Sequence, residues 1–259
     1  MVTSSMGALP MLKQALWTSL AKDVAMPHGA WYLVASATLA VLNRPREIQQ
    51  VFTYALSDLE HSRDGPGAHK EKLEVSRRIR ESLVKTSAIA GLPKSINALM
   101  SLKQVTPQQL LDDEAVYSSG SRLQDLSRIS QEQILYRGQS FFDKLYGKLS
   151  RRVMRQMDQC GTRDLGVIAR LAYGHVLSNT SILTPMETSF VLIAGLIPQD
   201  VNPQLKGHLR GAINLGASVE QVRAVRAASI KVCEACGMKR LRDDDSVAKH
   251  GWRDEIADI

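Results

Sequence analysis

Apolar residues recur every three or four positions along most of the chain, the spacing of an amphipathic helix. Leu165, Ile168, Ala169, Ala172, Tyr173, Val176 and Leu177 fall on one helical stripe. Leu205, Leu209, Ala212 and Ile213 form another, with Lys206, Arg210 and Asn214 opposite. Phe190 to Ile197 is apolar nearly all round, as a helix enclosed on every side would be. There is no sustained two-residue alternation and no Asn-Gly hairpin signal. The expected fold class is all-α.

Helix starts are marked by short polar signatures. Thr184-Pro185-Met186-Glu187 reads as a capping box with Pro in the first turn. Thr106-Pro107-Gln108-Gln109, Ser130-Gln131-Glu132-Gln133 and Ser218-Val219-Glu220-Gln221 are variants, and Asn202-Pro203 opens a helix by the same logic. Gly91 and Gly216 mark ends. Met11 to Val24 reads as a first helix. Ser57 to Lys70, with Gly65-Pro66-Gly67, and Asp112 to Arg128, rich in Ser and Asp, read as exposed loops. The polar tail from Asp243 reads as loosely held.

The two halves read as degenerate repeats. Met26 to Ala35 aligns with Thr184 to Ile193, Arg44-Pro45 falls on Asn202-Pro203, and Lys85 to Gly91 falls on Lys231 to Gly237. The division is a first repeat over 1–111, a linker over 112–130, a second repeat over 131–242 and a tail over 243–259.

Composition narrows the class. With 259 residues, 44% hydrophobic and 23% charged, the chain is an ordinary globular protein, which excludes a collagen-like repeat, a disulfide mini-protein and a disordered chain. Aromatics at 5% favour helix over sandwich or barrel. The 33 basic residues outnumber 26 acidic ones for a net charge of +7, yet they are spread out, with no aromatic-interleaved basic stripe. Nucleic acid is not an expected partner; the charge instead attracts anionic small molecules. Three cysteines, Cys160, Cys233 and Cys236, do not make a secreted disulfide framework, so the expected compartment is intracellular and reducing. No apolar run reaches the roughly 20 residues of a membrane span. The acid-free stretch before Asp23 resembles a mitochondrial presequence as much as a structural helix, and no C-terminal peroxisomal tripeptide is read. The location read from these signals is cytoplasmic or mitochondrial.

The second half resembles the carboxymuconolactone decarboxylase-like family, which includes the alkylhydroperoxidase D-like proteins. The likeness runs through Tyr136-Arg137-Gly138, Phe141 to Gly147, Tyr173-Gly174-His175-Val176 and the helix opened by Glu187. It is sharpest over His208 to Val222, and Ala90 to Leu99 carries a weaker copy in the first half. The resemblance is closest to two-repeat fungal members. It implies an all-helical fold that forms homo-oligomers, trimers or hexamers, and two chemistries. One is cofactor-free proton transfer on a small carboxylate or lactone. The other is peroxide reduction by a Cys-x-x-Cys pair.

Within that family pattern, His208 and Glu187 are the expected proton-transfer pair. Glu187 is also the third residue of a capping box, and the two roles are compatible. His175 stands where the decarboxylases carry Glu, so it is a pocket-shaping catalytic candidate whose plain alternative is a helix-surface histidine. Arg210 and Tyr173 are candidate substrate contacts. Cys233-Glu234-Ala235-Cys236 is the redox alternative, although it lies a helix later than the peroxidase pattern implies. Zinc would need a second pair of ligands, and no metal is expected. In the first repeat Gly29 falls on Glu187 and Gln50 on His208, so that half is expected to be structural. The third reading is a non-catalytic oligomeric scaffold.

Overall fold

The computed structural model describes residues 12–27, 29–62, 67–112, 122–241 and 251–259, the side chains of 60–62 excepted. It is all-α apart from one short strand pair. The helices are α1 (Gln14–Ala21), α2 (Ala30–Val41), α3 (Pro45–Ser62), α4 (Ala68–Ala90) and α5 (Leu92–Val105) in the first half. They are followed by α6 (Arg122–Arg128), α7 (Gln131–Tyr146), α8 (Ser150–Asp158), α9 (Asp164–Leu171), α10 (Pro185–Leu196), α11 (Asn202–Asn214) and α12 (Val219–Ala235).

Every residue of α2 is buried, and so is α10 from Thr188 to Leu196. These two apolar helices pack on each other, with α3, α4, α11 and α12 packed against one or both of them. That follows from their composition, since a helix without a polar face must be covered on all sides. Some of their polar atoms pair internally, whereas Ser36 Oγ and Ser189 Oγ are buried without a hydrogen-bond partner. Thr38 Oγ1 lies 2.9 Å from Ser229 Oγ and also donates to Val34 O at 2.9 Å.

The boxes at Ser130, Thr184 and Ser218 form, each side chain accepting from the backbone N–H three residues on. Such a cap contributes about 1 kcal/mol. Gly91 and Gly216 end their helices with φ of 81° and 99°, a region L-residues disfavour. The Thr106 signature behaves differently. Thr106 closes α5 and its hydroxyl turns back to Leu102 O, leaving only a short 3₁₀ turn over Gln108–Leu110.

Other expectations are corrected. The Asn202 side chain does not cap α11; it accepts from Ala257 N at 2.7 Å. Residues 251–259 of the tail are held. Gly251–Trp252 pairs in parallel with Lys239–Arg240, Trp252 is buried and its Nε1 donates to Ile197 O, and Arg226 donates to Ile256 O and Ala257 O. The first loop is shorter than expected, since α3 runs to Ser62 and α4 starts at Ala68. The second contains α6. The single stripe from Leu165 to Leu177 is broken, because residues Ala172–Leu177 form a π turn with Ser178 N bonded to Tyr173 O. That wider i→i+5 turn rotates the faces against each other. Tyr173 and Leu177 are buried while Leu165 and Ile168 stay exposed.

Candidate functional site

Helices α7 and α11 meet along small residues. Gly211 stands against Leu145, and a Cβ there would collide with Leu145 Cδ1. Gly207 faces the Tyr146 ring. This approach brings the last turn of α7 onto the middle of α11, and Asn214 Nδ2 ties the pair by donating to Leu145 O at 2.8 Å. Tyr146 and His208 meet at that crossing. The phenol oxygen is 3.2 Å from Nε2 and the rings stand edge-on, 5.8 Å apart. Tyr146 continues to Tyr173, whose hydroxyl is 3.4 Å away, and Phe142 packs against both tyrosines.

Burial sets the protonation states. His208 is 6% exposed and has no charged partner among the described residues, so desolvation lowers its pKa to about 4 and the imidazole is neutral at pH 7. Its Nδ1 is buried without a hydrogen-bond partner. Desolvation raises Tyr146 and raises Tyr173 well above the ordinary phenol value, so both remain phenols.

Outside this buried row lies a cleft of about 510 Å³ between α7–α8 and α11. Leu145, Tyr146, Leu149 and Val153 give it apolar lining, and Arg152, Lys206 and Arg210 give it three cations. The three cations are exposed, and among the described residues none has a carboxylate partner. Among the described residues no acidic one lines the cleft. The arrangement suits an organic anion with an apolar body, held by charge and by guanidinium hydrogen bonds.

The structure brings His208, Tyr173 and Arg210 to this one region and puts Glu187 in a different network. Glu187 Oε2 accepts from Thr184 N and Oγ1, while Oε1 accepts from Arg78 Nη2 at 2.6 Å. Arg78 Nε in turn donates to the Tyr32 hydroxyl at 2.9 Å. Glu187 therefore caps α10 and pairs with α4, and it shares no hydrogen-bond partner with His208. His175 sits half-exposed on the π turn, its Nε2 3.3 Å from Gln131 Oε1.

A buried charge cluster fixes the π turn that carries Tyr173. Arg122 of α6 makes two hydrogen bonds to Glu81 and donates to the His175 and Val176 carbonyls. Lys85, fully buried, donates to Leu177 O and Asn179 O at 2.7 Å and lies 3.6 Å from Glu81. Burial outweighs that attraction and lowers the Lys85 pKa to about 7.

The cysteines lie elsewhere and are free thiols. Cys233 is wholly buried and desolvation raises its pKa; Cys236 is pushed up to about 11 by the same cause. Both sit far from the thiolate range that nucleophilic cysteines need. Among the described residues no His, Cys, Asp and Glu cluster could hold a metal ion.

Sequence reading passed over Tyr146 and Arg152. The one signal for Tyr146 was its place four residues after Phe142 in the motif that ends at Gly147. Arg152 lies on another helix, and its approach to Lys206 and Arg210 is purely tertiary.

No protein-family model matches the chain. Two yeast proteins are similar over most of their length. Peroxisomal protein 2 of Schizosaccharomyces pombe is 37% identical over 217 residues, covering 83% of this chain and 91% of that protein. Peroxisomal protein 2 of Saccharomyces cerevisiae is 33% identical over 252 residues, covering 80% and 89%.

Proposed function

The chain belongs to the family of these two proteins named Peroxisomal protein 2, and from that premise we propose a peroxisomal, cofactor-free enzyme of the lyase or isomerase kind. Its substrate is a small carboxylate or lactone bound in the basic cleft. The observation that carries this reading is the double role of Tyr146, which forms part of the cleft wall and hydrogen-bonds the buried His208.

Arg152, Lys206 and Arg210 hold the carboxylate, and their charge stabilises the enolate that forms when a proton leaves the neighbouring carbon. The Tyr146–His208 pair moves that proton. With the ring hydrogen on Nδ1, Nε2 accepts from Tyr146, whose oxygen takes the substrate proton as its own passes to His208. With the hydrogen on Nε2, His208 donates to Tyr146 and the phenol donates to substrate. The acid–base partner of His208 is thus Tyr146 in place of Glu187. Thiol peroxidase chemistry lacks comparable support, because burial pushes both Cys233 and Cys236 toward the thiol form.

The working form is a homo-oligomer, a trimer or hexamer as the family resemblance implies. Exposed Leu92, Ile96 and Met100, one turn apart along α5, offer an apolar face for it.

Calorimetric titration with small dicarboxylates and carboxymethyl γ-lactones tests the site. We expect binding that weakens as salt rises and falls about tenfold or more in Arg210→Ala, the loss of one charge-assisted contact. No binding by any of these probes, or binding equal in Arg152→Ala, Lys206→Ala and Arg210→Ala, contradicts the reading.

A further inference from the structure

The Tyr32–Arg78–Glu187 row ends on a second cavity, unconnected with the proton-transfer site in any residue. This partly open pocket of about 230 Å³ lies beside the start of α2. Met26, Trp31, Leu59 and Val75 give it an apolar lining, with Gly29 and Tyr32 together on its wall. Gly29 adopts φ 71°, and a Cβ there would stand 2.7 Å from the Tyr32 hydroxyl. Only glycine leaves that phenol oxygen open at the wall.

The Tyr32 oxygen accepts from Arg78 Nε. Its own hydrogen has no acceptor among the described residues, although the side chain is 6% exposed. A buried donor in this position costs free energy unless something accepts from it. Two charges limit what that can be. Glu187 already neutralises Arg78 at 2.6 Å, and Asp58 lines the cavity, so an anion gains nothing there. Size sets the other limit, since an apolar cavity of about 150 Å³ holds benzene.

We infer that this cavity is a binding site for a small uncharged carbonyl compound, a ketone, ester or lactone of about ten heavy atoms or fewer, whose oxygen accepts from Tyr32. The apolar body lies against Met26, Trp31, Leu59 and Val75. Arg78, held in place by Glu187, polarises the phenol from behind and makes it a stronger donor.

The test uses the full chain and cyclohexanone as probe, followed by ligand-observed saturation-transfer NMR. The wild-type chain binds. Tyr32→Phe keeps the ring and removes the donor, and it weakens binding about tenfold, the upper range for one net hydrogen bond. Ala55→Leu, which fills the cavity from α3, abolishes binding. Arg210→Ala leaves it unchanged, which separates this site from the basic cleft. Thermal melts confirm that each variant is folded. No binding to the wild-type chain, or undiminished binding in Tyr32→Phe and Ala55→Leu, overturns the inference.

Discussion

The Tyr146 hydroxyl lies 3.2 Å from His208 Nε2, a contact between two residues 62 apart in sequence on different helices. It couples a side chain on the wall of a basic cleft to a buried imidazole. The coupling depends on Gly207 and Gly211, which let α11 approach α7 closely enough for the two rings to meet.

His208 makes the protein acid-sensitive. Its folded pKa of about 4 is below the unfolded value near 6.5, so the unfolded state binds more protons between those values. Stability is therefore lost as pH falls from 6.5 to 4, by about 3 kcal/mol for this group. Urea titrations at pH 7 and pH 4.5 should show wild type losing more stability than His208→Gln. Equal losses would contradict the buried neutral imidazole.

Lys85 imposes the same sign at higher pH. Burial lowers its pKa to about 7 against 10.5 in the unfolded chain, so stability rises with pH through that window. Lys85→Met flattens this slope. It also costs about 1–3 kcal/mol at neutral pH, because Leu177 O and Asn179 O lose their donor. Chemical denaturation of both proteins from pH 7 to pH 10 measures the two effects together.

Thiol accessibility separates acid–base chemistry from peroxidase chemistry. Cys160 is exposed, whereas Cys233 and Cys236 are raised by burial. A chromogenic disulfide reagent should label Cys160 promptly in the native protein, and all three cysteines only in denaturant. Peroxide should leave Cys233 and Cys236 reduced, as mass spectrometry of the native protein would record.

Gly138 holds α7 against the π turn. A Cβ there would lie 2.5 Å from Gly174 N, a backbone atom that has little room to yield. Gly138→Ala should destabilise by about 1–3 kcal/mol, the usual cost of overpacking. It should also move Tyr173 away from Tyr146. The shift in urea midpoint reads the first effect, and the Tyr146 and Tyr173 ring resonances read the second.

Local signals made much of the fold legible. Ser130, Thr184 and Ser218 announce helix starts through spacing alone, and the unbroken apolarity of Phe190 to Ile197 announces a central helix. The failures are tertiary. Asn202 has the composition of a cap, but the returning tail offers its side chain the Ala257 N–H. Leu165 and Leu177 share a stripe only while the helix keeps one pitch, and the π turn changes it. At the candidate site, His208 and Arg210 were legible on one helix. Glu187 belongs to a different network because Arg78, far away in sequence, supplies its partner, and no local spacing reports that.

The most direct test of the central claim is solvent deuterium exchange. Carboxymethyl γ-lactones are incubated with the full chain in deuterium oxide, and proton NMR follows the hydrogens next to the carbonyl. The account predicts exchange above background with wild-type protein and none above background with Tyr146→Phe or His208→Gln, while Glu187→Gln retains it if folded. Exchange that persists in Tyr146→Phe, or that is absent from the wild-type chain across the panel, would contradict it.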